Sequence, residues 1–123
     1  MSSKRTLINF SNHPSALWSA EQLAAAHVYG EVFDLPFPHV NPHSNADDLS
    51  LLADEYVQKI LSFSENSNIT VHVMGEMTLS YLVVTRLRSH GIECIASTTE
   101  REVEDFQDGR KLVHFRFVQF RKF

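Results

Sequence analysis

The stretch ITVHVMGEMTLSYLVVTRLRSHGIECIASTTER, residues 69–101, decides the fold. The apolar run over 69–74 predicts a buried strand. Leucines and valines at helical spacing then predict a helix that Gly91 closes, and 92–97 predicts another strand. A strand, a helix and a strand in this order form a βαβ unit with parallel strands. Because ligands of open α/β sheets bind outside the carboxyl ends of strands, the residues that follow each strand are the first candidates for a site.

The rest of the chain extends this pattern. Strands over 5–10 and 31–35 and a helix over about 20–29 precede a long amphipathic helix that begins near Asp47 and Asp48. After 101, two extended runs flank Asp108-Gly109, which predicts a two-residue β-hairpin turn.

In the last run, Val113, Phe115 and Phe117 share one face, whereas Val118 and Phe120 fall on the other. A bulge near Val118, or a strand buried on both faces, is therefore expected.

The predicted element order is β-α-β-α-β-α-β-β-β over a single domain, residues 1–123. This order indicates an α/β three-layer sandwich with a Rossmann-like, mostly parallel sheet and a C-terminal β-hairpin. If the first and third strands are central neighbours, the strand order reverses between them and their exits form a crevice.

Composition narrows the classes of function. The chain has 123 residues, a net charge of -4, one cysteine and no apolar run long enough to span a membrane. Residues 1–75 hold three basic and eight acidic side chains, whereas 76–123 hold eight and seven. This balance suits a local anion site but not duplex nucleic acid, and no membrane partner is expected. The start of the chain leads into a strand rather than a signal peptide, so we expect a soluble, cytoplasmic protein.

Several familiar motifs are missing from the sequence: GxGxxG, GxxxxGK[ST], GxSxG and CxxC. The seven histidines lack paired metal-ligand spacing, so neither a metal site nor a cofactor is expected. His13 follows the first strand. It is either a functional residue, acting as an acid, a base or a hydrogen-bond donor to a phosphate, or a surface turn residue. Gly75 allows either close approach of a phosphate or a tight turn. Thr98, Thr99 and Arg101 offer hydroxyls and a guanidinium to a phosphate, although threonine is also a common strand residue.

A second pattern runs through the C-terminal half. It comprises Gly75, Glu76, Ser80, Tyr81, Gly91, Thr98, Thr99, Arg101, Phe115, Val118, Phe120, Arg121 and Phe123. This pattern resembles the small stand-alone CRISPR-associated Rossmann-fold (CARF) proteins of the cyclic-oligoadenylate ring nuclease type. The first strand and Phe10-Ser11-Asn12-His13 are similar to the start of that family. Glu76 stands where the family pattern has aspartate.

The resemblance implies a homodimer that binds a cyclic oligoadenylate, with cyclic tetra-adenylate the expected ring, and cleaves it to switch off type III CRISPR signalling in antiviral defence. Cleavage would be metal-independent, by attack of a ribose 2′-OH on its phosphodiester. The implied catalytic residues are Ser11, His13 and Glu76. The implied ligand-binding residues are Asn12, Gly75, Met77, Thr78, Ser80, Thr98, Thr99 and Arg101.

Two other readings stay open at this point. One is a non-catalytic sensor or sequestering module that binds the same ligand or another nucleotide. The other is a structural dimerisation domain with no small ligand.

Overall fold

The computed structural model describes residues 4–65 and 68–123. The strands are β1 (Arg5–Ser11), β2 (Glu31–Asp34), β3 (Asn68–Met74), β4 (Glu93–Asp105) and β5 (Lys111–Lys122), and the α-helices are α1 (Ala20–His27), α2 (Ala46–Phe63) and α3 (Met77–Ser89). A short 3₁₀ turn, Ser15–Leu17, precedes α1. None of the helices in the described part of the chain is long and apolar enough to cross a membrane.

The strands form one curled, mostly parallel sheet in the order β2-β1-β3-β4-β5. β1 pairs in parallel with β2 and β3, and β3 pairs in parallel with β4, which confirms the predicted βαβ unit. The strand order reverses between β1 and β3, as predicted. Ser11 is in register with Met74, and the amide of Asn12 donates to the Met74 carbonyl at 3.2 Å. The loop after β1 therefore lies beside Gly75.

The predicted fourth and fifth strands are a single strand. β4 runs for 13 residues, and β5 pairs antiparallel with it from Ile95 opposite Lys122 to Asp105 opposite Lys111. The separate strand ending at Ser97 was wrong, because residues 98–105 contain no glycine or proline to end it and β5 supplies a continuous partner. Consequently the segment 98–101 lies inside a strand rather than after one.

The hairpin turn is where the sequence predicted it, but its loop is longer. The Phe106 amide donates to the Arg110 carbonyl at 2.9 Å, and the Gly109 amide donates to the Phe106 carbonyl at 3.0 Å. This leaves the three residues 107–109 in the loop, with Gly109 at φ +87°. Three-residue loops of this kind place a left-handed residue after a type I turn, and glycine suits that position.

The expected bulge is also present. Thr98 is opposite Gln119 and Thr99 is opposite Phe117, so Val118 is the extra residue on β5. The bulge brings Phe117 and Phe120 onto one face, where their ring centroids lie 5.0 Å apart.

Apolar residues of the sheet contribute to two clusters. Ile8 and Phe10 of β1 pack in a cluster with buried residues of α2 and α3, including Val57 and Val83. Leu7 points the other way, since strand side chains alternate, and packs in a cluster with Trp18, Ala26 and Ile95. Burial on both faces explains why β1 and β3 read as nearly continuous apolar runs.

Candidate functional site

A groove of about 650 Å³ opens at the carboxyl ends of the central strands, within the range of small-molecule sites. One wall is the loop after β1 and the start of α1, the floor is the end of β3, and the other wall is the projecting part of the hairpin. This projecting part, residues 99–105 paired with 111–117, is called the ribbon below. The lining residues are His13, Leu17, Trp18, Ser19, Glu21, Gln22, His72, Met74, Ser97, Thr99, Glu102, His114, Phe115, Arg116 and Phe117.

Two buried polar residues, Asn9 and His72, lie opposite each other in register, and His72 lines the floor of the groove. The Asn9 side-chain nitrogen donates to Asp34 Oδ1 and to the His13 carbonyl, each at 2.9 Å. Its Oδ1 therefore faces His72 Nδ1, 2.8 Å away. Since an amide oxygen only accepts, this network assigns the proton to Nδ1 and leaves Nε2 as an acceptor. Nε2 is buried and has no hydrogen-bond partner within the described residues.

His72 is held in its neutral form. Burial, and secondarily the charge of the neighbouring His13, lowers the pKa of His72 from 6.5 to about 4. The imidazole edge at Nε2 is therefore an acceptor rather than a cation near neutral pH.

The backbone at His13 is held by three hydrogen bonds. Its carbonyl accepts from the Asn9 side chain at 2.9 Å and from Trp18 Nε1 at 3.2 Å, and its amide donates to Ser11 Oγ at 3.2 Å. The His13 imidazole is exposed and lines the groove, and it makes no hydrogen bond to another residue of the described ranges. A fixed backbone with a free imidazole is suited to proton transfer.

The other two predicted catalytic residues are engaged locally. The buried Ser11 hydroxyl lies 2.7 Å from Asn9 Oδ1, to which it donates. The Glu76 carboxylate caps α3, accepting from the amides of Thr78 at 3.1 Å and Leu79 at 2.8 Å. The Thr78 hydroxyl also donates to it, and these bonds, led by the hydroxyl, lower the pKa of Glu76. Glu76 thus occupies the amides that a phosphate at this helix start would use.

The Phe37 ring fills the space where a Cβ on residue 75 would lie. A Cβ built on Gly75 would lie 2.5 Å from the Phe37 ring, so close packing of that ring requires glycine. Asn12 lines a separate pocket of about 240 Å³ together with Ser11 and Asp34. The structure therefore places these predicted binding residues next to the groove but outside its lining.

The remaining predicted binding residues are spread over two elements. On α3, Met77 is 80% exposed, and Ser80 Oγ is buried with no partner among the described residues. On β4, the Thr98 hydroxyl donates to the Gln119 carbonyl at 3.2 Å, and Arg101 is exposed on the ribbon. Thr99 lines the groove. Of Thr98, Thr99 and Arg101, only Thr99 thus lines the same groove as His13.

A polar cluster on the ribbon was missed by the sequence reasoning. His114 Nε2 lies 2.8 Å from Glu102 Oε2, and Arg116 Nε lies 3.2 Å from the other oxygen of Glu102. Arg116 also pairs with Glu100 at 2.9 Å. That bond to Glu100, then the carboxylates of Glu102 and Glu21, raises the pKa of Arg116. The cluster depends on which residues of the two hairpin strands lie opposite each other. The predicted two-residue turn shifts this pairing by one residue, so it does not place Glu102 opposite His114.

Asn9 and His72 were also missed as site residues, although a signal for them exists. Each interrupts an apolar strand two residues before its end, at Ser11 and Met74. Buried polar residues are hydrogen-bonded as a rule, so two of them at matching depth in neighbouring strands predict a shared network. Across residues 4–65 and 68–123, no three His, Cys, Asp or Glu side chains gather as metal ligands would.

Fold and groove together define an α/β protein with an open groove at the point where the strand order of a mostly parallel sheet reverses. Residues 5–121 match the model of the Uncharacterized protein MJ1673 family, and the chain belongs to that family. No curated protein sequence matches the chain. The family description names no activity, so the chemistry rests on the groove.

Proposed function

We propose that this protein binds a cyclic oligoadenylate in the groove and cleaves it without metal, as a CARF-type ring nuclease with a three-layer Rossmann-like architecture. The observation that carries the proposal is the His13 imidazole. It stands free on a backbone held by three hydrogen bonds, at the point where the strand order reverses. The same point of the fold binds nucleotides in doubly wound proteins generally.

The groove lining supports a nucleotide ligand. Phe115, which is 64% exposed, provides aromatic surface on which a base can stack, and such a stack stabilises binding by roughly 1–3 kcal/mol. Ser97 and Thr99 supply hydroxyls for polar groups of the ligand.

The size of the ligand favours two copies of the chain. A groove of about 650 Å³ suits one compact ligand, whereas cyclic tetra-adenylate contains four nucleotides. Two grooves related by a two-fold axis would meet a ring of matching symmetry. The ribbon carries Val103, Val113 and Phe115 with exposures of 42%, 40% and 64%, an apolar surface that a second copy would cover.

The chemistry follows from the free imidazole. His13 accepts the proton of a ribose 2′-OH, and the 2′-oxygen attacks the adjacent phosphorus. The P–O5′ bond breaks, which opens the ring and leaves a 2′,3′-cyclic phosphate at one end and a 5′-OH at the other. Positioning of the 2′-oxygen in line with the leaving oxygen supplies much of the acceleration.

A non-catalytic sensor is the second candidate, and one observation favours it. Ser11 and Glu76, two of the three residues that the family resemblance assigns to catalysis, use their polar atoms within the fold. A module that only holds the ring would need neither.

The test is incubation of the purified protein with labelled cyclic tri-, tetra- and hexa-adenylate, with and without EDTA. The proposal expects cleavage of one ring in both conditions. Binding without cleavage would favour the sensor, and no binding of any ring would refute both. A cleavage activity that EDTA abolishes would contradict the metal-free mechanism.

A further inference from the structure

The ribbon wall of the groove holds a histidine–carboxylate pair that the mechanism above leaves unused. His114 Nε2 lies 2.8 Å from Glu102 Oε2, and both side chains line the groove while staying 48% and 41% exposed. Glu102 is itself held by Arg116 Nε at 3.2 Å, and Glu21 of α1 lines the opposite wall. The pair is thus fixed in position but open to a ligand.

The hydrogen bond determines which ring nitrogen of His114 is available. A carboxylate accepts, so Nε2 donates to Glu102 and Nδ1 is directed elsewhere. Nδ1 makes no hydrogen bond to any residue in the described parts of the chain. An imidazole oriented by a carboxylate, with its second nitrogen free in a cleft, is the arrangement by which enzymes position a proton-transfer group.

The groove therefore has an imidazole on each wall: His13 on the loop after β1 and His114 on β5. Cleavage by a 2′-OH needs two proton transfers, one from the attacking oxygen and one to the leaving oxygen. We propose that His114 is the second catalytic residue, the general acid of the reaction, with Glu102 as its positioning residue. This inference rests on the proposed ring cleavage.

The reaction transfers two protons and exchanges one P–O bond for another. His13 takes the proton from the 2′-OH, the P–O2′ bond forms as the P–O5′ bond breaks, and protonated His114 gives its Nδ1 proton to the 5′-oxygen. His13 ends protonated and His114 neutral, and proton exchange with water restores both.

The test uses cyclic tetra-adenylate and an analogue in which sulfur replaces the bridging 5′-oxygens, because a thiolate leaves without being protonated. We expect His114→Ala to slow cleavage of the oxygen substrate by about a hundredfold or more but to cleave the sulfur analogue at close to the parental rate. His13→Ala should slow both substrates. Glu102→Gln should show the same difference between the two substrates as His114→Ala, with a smaller loss of rate on the oxygen substrate. His43→Ala, on an exposed loop outside the groove, is the matched control and should retain the parental rate.

Two results would overturn the assignment. If His114→Ala cleaves the oxygen substrate at the parental rate, His114 is not needed for the reaction. If it slows both substrates equally, the residue acts through structure or binding rather than as an acid. A parental protein that cleaves neither substrate would instead refute the proposed function, and the role of His114 with it.

Discussion

Acidification should destabilise this protein through one buried imidazole. His72 is 1% exposed, donates to Asn9 Oδ1 through Nδ1 and has a pKa lowered from 6.5 to about 4 by burial, with a smaller effect of His13. Between these two pKa values the unfolded chain binds a proton at this position and the folded chain does not. The free energy of unfolding therefore falls as the pH falls from about 6.5 to about 4.

The size of the effect follows from the two pKa values. A difference of 2.5 pKa units corresponds to about 3 kcal/mol when the pH has fallen to the lower value. About 2 kcal/mol of this is already lost by pH 5. For a domain of this size such a loss is a large fraction of the total stability, typically 5–15 kcal/mol.

Urea denaturation followed by the fluorescence of Trp18 measures this directly, because Trp18 is the only tryptophan and its ring lies 5.4 Å from that of His72. The perturbation is His72→Asn, whose side-chain nitrogen can still donate to Asn9 but does not titrate. We expect the variant to lose about 2 kcal/mol less than the parent between pH 7.5 and pH 5. His43→Asn, on an exposed loop, is the control and should show the parental loss. Equal losses in the parent and His72→Asn would refute the assignment of a buried neutral imidazole.

Three further predictions concern the scaffold and the assembly. Gly30→Ala would place a Cβ 2.4 Å from the Arg5 carbonyl oxygen, at a residue whose φ is +128°. We expect this variant to lower the free energy of unfolding by several kcal/mol. The loss should exceed that of Gly91→Ala, because Gly91 has φ +75° but open space where the Cβ would lie. Glu76→Ala should lower the free energy of unfolding by about 1 kcal/mol at neutral pH, because it removes the α3 cap. The loss should be smaller in acid, since a carboxylate of lowered pKa stabilises the fold only while it is ionised. Urea denaturation at neutral and at acidic pH checks this. Phe115→Asp should convert the proposed dimer to a monomer in light scattering, and an unchanged mass would place the dimer contact elsewhere.

Secondary structure was largely readable because apolar periodicity records which faces are buried. The βαβ unit over 69–97, the start of helix α1 after Ser19 and the closing Gly91 all appear as predicted. The length of β4 could not be predicted, because no feature of the sequence shows where its pairing with β3 ends while its pairing with β5 continues. β4 continues to Asp105 because β5 accompanies it beyond the end of β3.

The candidate site divides in the same way. His13 was predicted from the sequence because it follows the first strand, and the structure places it in the lining of the groove. Glu76 was predicted for its place at a helix start, and its side chain caps that helix. Capping and ligand binding use the same acceptor atoms, so the sequence pattern could not distinguish them.

What the sequence determined by itself is the three α-helices, the parallel strands and the loop that carries His13, because these depend on local periodicity and on turn residues. Only the tertiary structure decided which side chains meet. Asn9 and His72 lie 63 residues apart and pair through strand register, and Glu102 meets His114 because the hairpin loop holds three residues. A two-residue loop at Asp108-Gly109 would place Glu102 opposite Phe115 instead. A shift of one residue exchanges the faces of a strand, and that choice depends on the packing of the whole sheet rather than on any local signal.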